Sequence, residues 1–84
     1  MMNLCRLCGA VATDRHHVFM GRNRQLSERY GCVVWLCREC HVLVHREREV
    51  CLRLMRAEQR RLERVMSREE FIGIFGRNYL GGEE

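Results

Sequence analysis

The chain has 84 residues, six cysteines and no proline, so it fits one small domain of a size whose apolar core alone gives marginal stability. Its formal net charge is +4 and all 15 basic residues are arginine, a balance that permits a nucleic-acid partner without specifying one, since an all-arginine count can equally reflect genomic base composition. The opening MMNLCRLCGA lacks the apolar core of a secretory signal and no apolar run reaches membrane-spanning length, which excludes a membrane-spanning class and leaves a soluble, cytoplasmic chain whose cysteines serve a metal rather than disulfides.

In chain order, CRLCG, with Cys5 and Cys8 spaced C-x-x-C, reads as a zinc knuckle of residues 5–9 closed by Gly9, whose backbone can take positive φ. HHVFM, His16 to Met20, predicts a short strand because Val18 and Phe19 favour pleated structure. GRNRQLSERYG, Gly21 to Gly31, is polar and glycine-bounded, with Leu26 and Tyr30 as its sizeable apolar anchors; it reads as a loop. CVVWLC, Cys32 to Cys37, is nearly continuous in β-branched and aromatic residues and predicts a second strand. That strand delivers Cys37 to a second C-x-x-C pair, completed by Cys40.

With no proline to stop it, one helix is expected from about Arg38 to about Met66. Its apolar residues Cys51, Leu54, Met55, Leu62, Val65 and Met66 recur at helical spacing, and its Arg and Glu residues form a solvated, salt-bridged face. Ser67 and Glu70 make a capping box that starts another helix over about 68–75, ending at Gly76. The fold class these elements describe is α+β. The last residues, RNYLGGEE, carry no legible chemistry.

His41 and His45 are four apart and share a helix face. Two ligand assignments follow. One puts Cys5, Cys8, His41 and His45 on a single zinc-finger site, which strands Cys37 and Cys40. The other places a structural zinc on Cys5, Cys8, Cys37 and Cys40 and uses every spaced cysteine pair. It frees His41 and His45 for a second ion, which needs a third ligand. The remaining histidines, His16 and His17, adjoin on a strand and point to opposite faces, so one can be that ligand while the other acts as a general base. An unperturbed histidine pKa of about 6.5 suits the second task. Cys32 and Cys51 fall outside both sites as small core residues.

These residues resemble a known family. DRHHV (Asp14 to Val18), LCRECH (Leu36 to His41) and VH (Val44, His45) are similar to the motif of the HNH, or ββα-metal, endonucleases on a treble-clef-like, zinc-stabilised scaffold. GRNR, YGCVVWLC, SREEF and IFGRNYL extend the likeness to small HNH proteins of bacteriophages and prophages. The resemblance implies a ββα core over about 16–66 with a long C-terminal helical extension, in one domain over 1–84. It implies that His17 is the general base and that His16, His41 and His45 hold one catalytic divalent cation (Mg2+, Mn2+, Ni2+ or Zn2+). Asp14 falls where a carboxylate helps orient the site. Arg22 and Arg24 are candidates for phosphate contacts. The implied partner is DNA, cut by phosphodiester hydrolysis to a 5′-phosphate and a 3′-hydroxyl, and a phage DNA-packaging or other DNA-processing complex is compatible with the resemblance; monomer and homodimer are both compatible. One position departs from the pattern: the motif's middle Asn, which braces the loop orienting the base histidine, corresponds to Cys32 here. A catalytically silent zinc module that binds nucleic acid or a partner protein is the alternative.

Overall fold

The computed structural model describes residues 2–81. Two short strands, β1 (Asp14–His17) and β2 (Val33–Leu36), form an antiparallel pair in the register Asp14↔Leu36, Arg15↔Trp35, His16↔Val34, His17↔Val33. Four helices follow the strands or lie between them: α1 (Arg24–Arg29), α2 (Arg38–Arg46), α3 (Arg48–Leu62) and α4 (Arg68–Phe75). The architecture is a small α+β fold. Among the described residues no helix is long and apolar enough to cross a membrane.

The first strand begins two residues earlier than its expected start at His16 and ends at His17. Val18 adds one further ladder bond, its N–H donating to the Cys32 carbonyl at 2.9 Å, after which the chain dives into the core. Phe19 loses its strand partner there, and the buried Ser27 supplies one: its Oγ accepts from the Phe19 N–H at 2.9 Å and donates to the Phe19 carbonyl at 2.7 Å. Both main-chain groups of a buried residue are thereby satisfied.

Ser27 can do this because residues 21–31 are not a loop. A 3-10 turn (Gly21–Asn23) leads into α1, and Gly21 and Gly31, at φ 64° and 72°, bound the pair. Leu26 and Tyr30 sit one helical turn apart and pack on the core, a spacing that tertiary contact converts into a helix too short to persist alone.

The single helix expected over 38–66 is two helices, broken at Glu47, whose backbone is extended (φ −108°, ψ 107°), and ending at Leu62. No glycine or proline marks the break. Helical phase does not force it: α2 buries Cys40 and Val44 and α3 buries Leu54, Glu58, Gln59 and Leu62, and at 3.6 residues per turn Leu62 would lie in line with Val44 on a straight helix. Cys40, Val44, Leu54 and Leu62 belong to one core. The buried Glu58 carboxylate is met by Arg61 at 2.9 Å, and Arg61 also donates to the Tyr30 carbonyl at 3.0 Å, tying α3 to the end of α1.

Phe19 lies at the centre of the core, with Phe75, Tyr79 and Phe71 rings at centroid distances of 4.6, 5.2 and 5.9 Å. The capping box of Ser67 and Glu70 starts α4 as expected, and Gly76 ends it in the left-handed region at φ 84°. The following tail is structural: the buried Gln59 amide accepts from the Tyr79 N–H and donates to Asn78 Oδ1, both at 2.8 Å.

Replacing Ser27 with alanine strands the two Phe19 main-chain groups and should cost about 1–3 kcal/mol. Urea unfolding would read this as a lower midpoint with an unchanged slope; an unchanged midpoint would contradict the bracing role.

Candidate functional site

Two groups of side chains that could hold a metal ion form among the described residues: Cys5, Cys8, Cys37 and Cys40, and His16, His41 and His45, the candidate ligand atoms of each lying within 4.8 Å of one another. The mixed set of Cys5, Cys8, His41 and His45 is thus not what the fold assembles.

The cysteine group joins two tight turns. In the knuckle the Gly9 N–H returns to the Cys5 carbonyl at 2.9 Å, with Gly9 at φ 81°, and the Arg6 N–H donates to the Trp35 carbonyl at 2.9 Å, which ties it to β2. Cys37 is the N-cap of α2, its sulfur accepting from the Cys40 N–H at 3.4 Å. Cys8 and Cys37 sulfurs are 3.7 Å apart, and the edge of a tetrahedron with zinc–sulfur bonds of about 2.3 Å is about 3.8 Å. Burial pushes the Cys5 thiol up, but backbone groups of Cys37, Cys8 and Leu7 more than offset this and hold it at about 6. Burial, with the neighbouring sulfurs, drives Cys40 the other way. Four crowded sulfurs cannot all be anionic without a cation among them. The cluster can hold a metal ion such as zinc.

The histidine group is built by β1 and α2. Strand alternation sends His16 inward, to 3% exposure, and His17 to the other face; helical spacing brings His41 and His45 over His16, with ring centroids 5.2 and 5.5 Å from it. Asp14, at the start of β1, accepts from His41 Nδ1 at 2.8 Å and is also bridged by Arg38 Nε at 3.0 Å. The His41 bond, then one from Thr13, holds the Asp14 carboxyl below its ordinary range. As an anionic acceptor it keeps the His41 proton on Nδ1 and leaves the Nε2 lone pair facing the cluster.

His41 Nε2 and His45 Nε2 are 3.3 Å apart, the edge, about 3.3 Å, of a tetrahedron with metal–nitrogen bonds of 2.0–2.1 Å. A proton shared between them would satisfy those two nitrogens. It would leave His16 Nε2, a buried atom with no hydrogen-bond partner. Burial lowers the His16 pKa to about 4, assisted by the nearby His41, His45 and His17 rings, so the ring is neutral at pH 7 and in the form that ligates metals. These donors fit a divalent ion.

On the opposite face, His17 Nε2 lies 2.6 Å from Glu28 Oε2. Arg15 pairs with both oxygens of that carboxylate, and the Arg15 bond, then the His17 one, pulls Glu28 down to about 2. Arg15, His16, His17, Met20, Arg24, His41 and His45 line one cavity of about 230 Å³. A wider groove of about 750 Å³ shares Arg15, His41 and His45 and adds Arg38 and Arg46. Arg24 therefore borders the site, while Arg22, on the 3-10 turn, is not part of either lining.

Sequence reasoning missed Arg15, Ser27 and Glu28. Alternation along β1 puts Arg15 on the His17 face and could have been read; Ser27 and Glu28 sit on the helix taken for a loop. Cys32 is fully buried and burial raises its thiol to about 11, so it contributes a main-chain carbonyl rather than chemistry. Comparison with protein-family models, curated proteins and solved structures gave no match.

Cys37→Ser should remove the thiolate-bound metal and with it the folded state, because metal binding at such a site, about 10–16 kcal/mol, is folding free energy. His45→Ala should keep both. Metal content after dialysis against a mild chelator, read with circular dichroism, checks this; a metal-free Cys37→Ser protein that melts like wild type would contradict it.

Proposed function

We propose that the chain is a metal-dependent DNA endonuclease of the HNH, ββα-metal type. The observation that carries this reading is the convergence of His16, His41 and His45 on one point, with His17 lining the same cavity beside a carboxylate partner. A metal-ligand triad next to an independently held histidine is the donor set that hydrolysis of a phosphodiester needs. The strand pair followed by α2 agrees with the treble-clef-like arrangement that the resemblance implies.

His17 takes the proton from a water, whose oxygen forms the new bond to phosphorus in line with the departing 3′ oxygen. The bond from phosphorus to that oxygen breaks, the oxygen is protonated from solvent, and the products carry a 5′-phosphate and a 3′-hydroxyl. His16, His41 and His45 would hold a divalent ion, which would supply Lewis-acid polarisation of the phosphate and charge stabilisation at the leaving oxygen. Asp14 keeps His41 in the ligating tautomer. Arg24, and Arg38 and Arg46 along the groove, favour the polyanion without reading sequence. Cys5, Cys8, Cys37 and Cys40 would form a closed structural zinc site. With one such site per chain, nicking is the expected outcome, in the cytoplasm and within a larger DNA-processing assembly such as a phage packaging complex.

The second reading, a silent zinc module, is favoured by Cys32 at the place of the motif's Asn. Ser27 and Glu28 weigh against it, because they hold the Phe19 backbone and the His17 ring by other means.

The test is relaxation of supercoiled plasmid with magnesium, manganese, nickel or zinc supplied in turn. Wild type should convert it to open circle in a metal-dependent way, and His17→Ala, folded and metal-bound, should be slower by at least about 100-fold. Silence from the wild type with every ion, or equal activity of the variant, would contradict the proposal.

A further inference from the structure

The endonuclease reading assigns His17 a proton to take but not the nitrogen that takes it, nor what holds the ring in place. The neighbours of the ring address both. A neutral imidazole has one N–H and one lone pair, and the bond partner of one nitrogen fixes the role of the other. At His17 the partner is Glu28 Oε2, 2.6 Å from Nε2. An ionised carboxylate only accepts, so the proton resides on Nε2 and the lone pair on Nδ1.

Glu28 is itself held. Arg15 Nη2 donates to Oε1 at 2.8 Å and Nη1 to Oε2, the oxygen that also meets His17. Arg15 and His17 are two apart on β1 and so share its face, while Glu28 reaches them from α1. The next residue back on α1, Ser27, fixes the main chain of Phe19. Adjacent residues of one short helix therefore hold the backbone just beyond His17 and the ring of His17 itself. An isolated surface ion pair of Arg15 and Glu28 would contribute little; its place here is to fix the rotamer of a carboxylate that has a second partner.

We propose that Glu28, clamped by Arg15, is the positioning residue of His17, holding the ring with its proton on Nε2 so that Nδ1 is the nitrogen that accepts the proton of the attacking water. The proposal rests on the endonuclease reading for the consequence in rate. The ring state itself is independent of it.

The experiment pairs nitrogen spectra of 15N-histidine-labelled, zinc-loaded protein, recorded above the range in which histidines titrate, with steady-state nicking of a plasmid. Wild type should show His17 protonated at Nε2. Glu28→Gln, whose side-chain carbonyl still accepts from that N–H, should keep this state and most of the rate. Glu28→Ala should show mixed tautomers, with kcat lower by about 10- to 100-fold, KM and bound metal unchanged and Tm close to wild type. Arg15→Gln should fall between the two. A wild-type His17 carrying its proton on Nδ1, or a Glu28→Ala protein with the wild-type spectrum and kcat, would overturn the proposal. If wild type cuts no DNA, the endonuclease reading fails, while the spectra still decide the link between Glu28 and His17.

Discussion

A buried imidazole nitrogen without a hydrogen-bond partner is the constraint around which this small fold closes. Leaving such a group unsatisfied costs roughly 1–3 kcal/mol, a large share of what a chain of this size can spare. Here the orphan is His16 Nε2, and the groups around it do not relieve it: with the His41 proton held on Nδ1 by Asp14, His41 Nε2 and His45 Nε2 can share one proton with each other, which leaves His16 without one. The same arrangement becomes favourable once a cation sits among the three rings. The 3.3 Å between His41 Nε2 and His45 Nε2 matches a zinc-sized ion, which, with the orphaned His16 nitrogen, is the physical basis for treating the triad as a candidate metal site.

Both candidate metal-ligand groups draw two members from α2 or its N-cap. Cys37 caps that helix, Cys40 lies in its first turn, and His41 and His45 follow on the adjoining face. An ion on the four sulfurs would therefore fix the position of the histidines, and the pairing of β1 with β2 brings His16 and His17 to meet them. The long helical extension completes the core from the other side, with Phe71, Phe75 and Tyr79 around Phe19. Phe19 is two residues beyond His17. Core packing and site geometry are thus joined by a very short stretch of chain.

The two side-chain clusters were legible because their signals are local: C-x-x-C repeats, a four-residue histidine spacing and an adjacent histidine pair need only strand and helix periodicity to be placed. The capping box of α4 was legible for the same reason. What the sequence concealed depends on tertiary contact. Residues 24–29 are polar and flanked by glycine, and they are helical because Leu26, Ser27 and Tyr30 find the core. Missing that helix hid Glu28, which holds the His17 ring, and Ser27, which holds the Phe19 main chain. The break at Glu47 was hidden as well, since no glycine or proline marks it and the buried positions on either side keep one helical phase.

Calorimetric titration of a divalent ion into protein whose cysteine site is already filled with zinc tests whether His16, His41 and His45 form a metal site separate from the cysteines. Wild type should bind one further ion and a folded His16→Ala protein none. No second binding event in wild type, or one that survives removal of His16, would contradict it.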